Sequence, residues 1–138
     1  MSPTAAGLSS AAGVEAVLFS HDLHVLLAVL TAVALLAATG EGAVRAVRGR
    51  PAGVAADRTR AGALLVVGMT AASGLALLVG GHRPGEWLHL IYAVLAFGLV
   101  PVADNAATSL SSDRGKALAR VGAGLVALVV LTRLFQTG

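Results

Sequence analysis

Cysteine is absent from the chain, which removes disulfides, thiolate metal sites, iron–sulfur clusters and cysteine nucleophiles together. Charge is scarce: 12% of the 138 residues are Asp, Glu, Lys or Arg. A soluble domain averages about 25%, so roughly half the charge needed for a water-facing surface is missing. Aromatic residues make up only 4%, too few for a base-stacking surface. The net charge of +3 and the pI near 10.6 therefore do not point to nucleic acid. The basic residues sit between apolar runs and act as topology signals. No G-x-G-x-x-G or phosphate-loop pattern occurs among the glycines. The serines at 9–10, 20 and 109–112 have no buried base at helical spacing, so nucleophilic catalysis has no support.

What is present is hydrophobic length. Apolar residues make up 57% of the chain, and the mean hydropathy is +0.84. A membrane-spanning helix needs about 20 mainly apolar residues, and four such stretches occur, over about 22–40, 61–81, 87–103 and 116–135. The fourth is bracketed by Arg120 and Arg133, whose long side chains can reach headgroups. The expected fold is a single all-α domain, a four-helix up-down-up-down bundle solvated by the lipid bilayer. Connections are expected at 41–60 and 104–115, with a short turn at Pro84-Gly85. Pro101 is expected to bend or end the third helix, leaving Asp104-Asn105 in the loop. Glu41, Asp104 and Asp113 are read as helix-end residues.

Arg45, Arg48, Arg50, Arg58, Arg60, Arg114, Lys116 and Arg120 fall in or beside the first and third connections, eight of the ten Lys and Arg in the chain. The positive-inside rule assigns both connections to the cytoplasm. The tail before the first span carries no Lys or Arg and lacks the basic region of a cleavable signal peptide. The expectation is a multi-pass protein of the cytoplasmic membrane with both termini outside, and Trp87 as an interfacial anchor. Small residues recur every four positions at Gly68, Ala72, Ala76 and Gly80, and at Ala119, Ala123 and Ala127. Such faces let helix backbones approach closely in lipid, within one chain, in a homodimer or against a larger membrane complex.

Two segment pairs look alike. Residues 23–30 and 88–95 both read L-H-x-x-x-A-V-L, and residues 60–66 and 120–126 both read R-x-G-A-x-L-V. The order suggests a duplicated helical hairpin, each copy opening with a histidine and returning after an arginine. Two copies of equal orientation would be related by an axis along the membrane normal.

His21, His24, His82 and His89 all fall at the predicted outer end, with Glu15, Asp22, Glu86, Arg83 and Arg133. His24 and His89 begin the first and third helices. These are diagonal in such a bundle, with axes about 13 Å apart from the usual neighbour spacing. The histidines therefore lie at similar depth, with mostly small residues beneath them: Ala28, Thr31 and Leu35 on one side, Tyr92 and Ala96 on the other. One reading is a bis-histidine haem b site between His24 and His89, lined by Tyr92, with Arg133 and Arg83 meeting the propionates. Another is a copper or zinc site, or a proton pathway, using His21 and His24 with His82 or His89 and the neighbouring carboxylates. The third is solvated histidines in the headgroup region with no ligand, the chain serving as a non-catalytic accessory subunit.

The block from Arg83 to His89 and the ending from Arg133 to Gly138 resemble those of small four-helix bacterial membrane proteins with no assigned activity, which implies the fold alone. In helix number and one histidine pair the chain is also similar to four-helix b-type cytochromes and to one half of haem A synthase, by architecture only. It resembles small multidrug transporters less, since they carry a membrane-embedded glutamate in the first helix. Here Glu15 precedes the span and Glu41 ends it.

Overall fold

The computed structural model describes residues 21–51 and 53–137. The serines at 9–10 and 20, and Glu15, lie outside the described residues. Four α-helices make up nearly all of the rest: α1 (His21–Arg48), α2 (Val54–Val79), α3 (Leu88–Thr108) and α4 (Asp113–Thr137). They contain 28, 26, 21 and 25 residues. At 1.5 Å per residue the shortest is about 32 Å long, enough for a hydrocarbon core of about 30 Å. All four are long and apolar enough to cross a membrane, as in a multi-pass membrane protein.

The first and third connections shrink to 49–53 and 109–112 because the helices outrun their apolar stretches, whereas the second widens to 80–87. Each of the first two has a glycine in the left-handed region at or next to its start, Gly49 at φ 63° and Gly81 at φ 86°. There the chain folds back on the last turn: Arg50 N–H donates to the Arg45 carbonyl at 3.1 Å, and His82 N–H to the Leu77 carbonyl at 2.9 Å. A side chain is strained at that φ, so glycine supplies both stops.

The expected end of the third helix at Pro101 is corrected by the structure. Pro101 lies inside α3, which continues to Thr108, so Asp104 and Asn105 are helical. A proline removes one hydrogen bond, and in apolar surroundings the gain from keeping the other backbone groups paired favours continuing the helix.

Packing is uneven. α1 packs closely on α2 and on α4, and α4 packs closely on α3, whereas α2 and α3 touch at few points. α1 turns Leu27, Thr31, Leu35 and Thr39 inward, a four-residue repeat that makes one face. The main apolar cluster joins Leu35, Val67, Ala96, Ala127, Leu131 and Leu134. Large apolar side chains point outward instead: Leu36 is 62% exposed and Val94 73%, while Thr31 and Thr70 are at most 1% exposed. That inversion suits lipid, where outward apolar groups cost nothing and interior hydroxyls bond helices together. The two small-residue faces also part company. Ala127 is fully buried and Gly124 abuts Thr39, so the α4 face packs inside the chain. On α2, Gly68, Ala72 and Gly80 are exposed.

Candidate functional site: a histidine end and an arginine end

At the end where α1 and α3 begin, a chain of hydrogen bonds ties α1 to α2. Thr70 Oγ1 donates to backbone carbonyls at Leu27 (3.0 Å) and Val66 (2.9 Å). Its single hydrogen is thus directed at carbonyls, so Thr31 Oγ1 is the donor across the 2.7 Å contact between the two threonines. One turn along, Ser73 Oγ donates to the Thr70 carbonyl at 2.8 Å. It therefore accepts from His24 Nδ1, 2.9 Å away. His24 accordingly keeps its proton on Nδ1 and its lone pair on Nε2. The ring lies against Gly74, where a Cβ would come within 3.0 Å of Cε1.

His89 is held from the other side of the bundle. Its ring faces the backbone of Leu134 in α4. The Leu134 carbonyl lies in the last turn of that helix and accepts from Thr137 Oγ1 at 3.3 Å. His89 Nδ1 is buried and has no hydrogen-bond partner, the only such side-chain atom among the described residues. His24 and His89 lie close enough for their charges to interact, as do His24 and His21. The structure thus brings together the two histidines matched by the repeat, His24 tied to Ser73 and His89 with a buried, unpartnered Nδ1 among the described residues.

The remaining expected residues are dispersed. His21, His82 and Arg83 are exposed. Arg133 is exposed and bonds Gln136 at 3.2 Å. Tyr92 packs against the apolar cluster. No group of three or more His, Asp or Glu gathers as a metal-binding set among the described residues. The expected space beneath the histidines is filled: Thr31 is turned to Thr70, and Leu35 and Ala96 are closed in by Leu131 and Leu134. Small side chains on these facing helices allow close approach here.

The opposite end holds a feature that sequence reasoning missed. A cavity of about 120 Å³ lies among all four helices. α1 contributes Thr39, Glu41 and Arg45 to its wall, α2 Asp57 and Arg60, α3 Asp104, and α4 Asp113, Lys116 and Arg120. Asp104 is the centre of the charge pattern. One carboxylate oxygen accepts from Arg60 Nη2, and the other accepts from Arg120 Nε at 2.9 Å. Its side chain is 15% exposed, against 36% and 28% for the two arginines. Glu41 pairs with Arg45 at 2.8 Å within α1, and Asp113 lies 3.9 Å from Lys116 within α4.

Asp104 carried a signal in the sequence. Glu41 and Asp113 each have a basic partner three or four residues along, whereas no Lys or Arg stands within four residues of Asp104. Once Pro101 is allowed inside the helix, an acid with no local partner must find one on another helix. Arg60 and Arg120, the two arginines aligned by the repeat, supply it from α2 and α4.

No protein-family model, curated protein or solved structure matches the chain.

Proposed function

We propose that the chain is a multi-pass protein of the cytoplasmic membrane that binds haem b between His24 and His89, for electron transfer or haem handling. One observation carries this reading: the two histidines lie within electrostatic reach of each other, His24 with Nδ1 tied to Ser73 and His89 against the Leu134 backbone with a buried Nδ1 that has no partner among the described residues. Histidines that ligate metals ordinarily hold a hydrogen-bond acceptor on the second nitrogen, as His24 does. The number of donors narrows the group. A bare zinc ion takes three or four protein ligands, and only two gather here, which suits a macrocycle that brings four nitrogens of its own. The fit has a limit in the packing, since Leu35, Ala96, Leu131 and Leu134 fill the space beneath the rings. The sparse α2–α3 contact is the side on which the bundle opens most easily.

Bound haem would supply an iron that takes up and releases single electrons. The chain's own part is to hold and tune it: Ser73 fixes the His24 proton on Nδ1, and the Leu134 backbone lies against His89. Arg83 and Arg133 are free of ion pairs among the described residues and offer cations for propionates at that end.

Topology belongs to the same proposal: up-down-up-down, arginine end in the cytoplasm, both termini outside, by duplication of a hairpin. The short connections, the basic residues gathered at one end and the pairing of repeat-matched residues at both ends support it. Val29-Leu30 and Val94-Leu95, at matched positions of the repeat, both point outward.

The test is a spectrum of the purified protein after expression with haem precursor. A Soret band and a reduced-minus-oxidised signal are expected, lost in His24→Ala and in His89→Ala, with Ser73→Ala retaining haem at a shifted midpoint potential. A colourless protein that also fails to take up added haem rejects the reading. The second reading is an accessory subunit or homodimer packed through Gly68, Ala72 and Gly80, favoured by the outward exposure of that face. It predicts a partner or second copy cross-linked through α2, unaffected by either histidine substitution.

A further inference from the structure

We infer that the cavity at the arginine end is a binding site for a phosphate-bearing anion, gripped by Arg60 and Arg120. The charge balance is the first reason. Two guanidinium groups share the single carboxylate of Asp104; of the other acids on the wall, Glu41 is engaged by Arg45 and Asp113 by Lys116, and the exposed Asp57 is matched in charge by the exposed Arg50. One positive charge is left over on the wall of a cavity between membrane helices, where an uncompensated charge is costly.

Geometry is the second reason. A guanidinium carries five N–H donors in a fixed plane. Arg60 and Arg120 each direct one at Asp104, and among the described residues their remaining donors have no acceptor. Both side chains line the cavity, with Lys116 beside them. Its volume of about 120 Å³ has room for several water-sized groups, and thus for a tetrahedral oxyanion. Arginine forks match phosphate oxygens two at a time, and Asp104 holds each fork by one edge so that the other edge stays available. The phosphate has two sources, an anionic lipid headgroup at the helix ends or free phosphate from solution. Because the wall draws on all four helices, occupancy would brace that end of the bundle.

The experiment follows thermal unfolding of the full-length protein in a neutral maltoside detergent. Inorganic phosphate is titrated in one arm and phosphatidylglycerol in the other, against potassium chloride at equal ionic strength. A saturable rise in Tm is expected in at least one arm. Response to phosphate identifies a soluble oxyanion, and response to the lipid alone identifies a headgroup. Arg120→Gln is expected to weaken apparent affinity by about tenfold to a hundredfold, the worth of a charged hydrogen bond. Should that variant fail to fold, Ala117→Leu fills the cavity while leaving all three charged groups in place, and it is expected to abolish the response. No saturable rise in the parent protein, or an equal rise in parent and Ala117→Leu, overturns the inference.

Discussion

The two ends of the bundle are joined by different chemistry. At the histidine end every link is neutral: hydroxyl to carbonyl, hydroxyl to hydroxyl, and imidazole to hydroxyl, with the second imidazole against the last turn of α4. The helices touch closely and the space between them is filled. At the arginine end α1, α2, α3 and α4 surround a cavity, and the link from α2 through α3 to α4 is a carboxylate between two guanidinium groups. Lipid gives no hydrophobic drive for helices to associate, so each end needs its own attractive contacts. Neutral bonds permit close packing and leave a nitrogen of each imidazole unused. Charged bonds hold helices apart at side-chain length and leave one charge unused. In both cases the unused group is where a ligand would act.

If that contrast is correct, the largest loss of stability should come from the centre of the charged end. Asp104→Asn leaves Arg60 and Arg120 facing each other with no anion. Removing one partner from a buried ion pair costs about 3–5 kcal/mol. With the arginines about one-third exposed, a loss of about 2–3 kcal/mol is expected, measured by denaturant unfolding in micelles. Replacing Glu41 by Gln should cost under about 0.5 kcal/mol, because its pair with Arg45 is local to one helix. Equal effects at 41 and 104 would remove the case for Asp104 as the link between helices.

Gly124→Ala tests close approach at mid-bundle, where α1 meets α4. A Cβ at 124 would lie 3.2 Å from Cβ and 3.3 Å from Cγ2 of Thr39. Overpacking of this kind costs about 1–3 kcal/mol, and a smaller loss would show that α1 and α4 can separate there. Thr70→Val tests the neutral end. It removes the bonds to Leu27 and Val66 and leaves Thr31 without its acceptor. Bonds between membrane helices are worth about 0.6 kcal/mol on average and up to about 1.7, and the upper part of that range is expected.

The four helices were legible because length and hydropathy are properties of a stretch, and lipid solvation needs nothing finer. The nearness of His24 and His89 followed from their like positions at two helix starts. Three features were not legible. Pro101 is an ordinary helix breaker in water, and its place inside α3 depends on apolar surroundings that forbid loose backbone. Asp104 was consequently placed in a loop, which hid the Arg60–Asp104–Arg120 link although both arginines had been matched by the repeat. Small-residue spacing marks a face that can pack without saying whether it does. The α4 face met α1 inside the chain, and the α2 face stayed outward. Hydroxyl pairing between Thr31 and Thr70 also leaves no mark in sequence, since threonine at such positions bonds its own helix just as readily.

The smallest expected effect sharpens this last difference, through one substitution made on two helices. Gly68→Ala places the same methyl group on α2 that Gly124→Ala places on α4, and at position 68 nothing lies within 4 Å of it. Alanine is the better helix former by about 0.8–1.0 kcal/mol in water, a gain open to both variants and outweighed at 124 by contact with Thr39. Gly68→Ala should therefore leave the monomer unchanged or more stable by up to about 1 kcal/mol. Opposite signs at 68 and 124 would show that spacing alone assigns no packing face. A clear destabilisation at 68 would mean that α2 has a second copy or another chain against its outward side in the detergent-solubilised protein, and cross-linking from Ala72 would then report which.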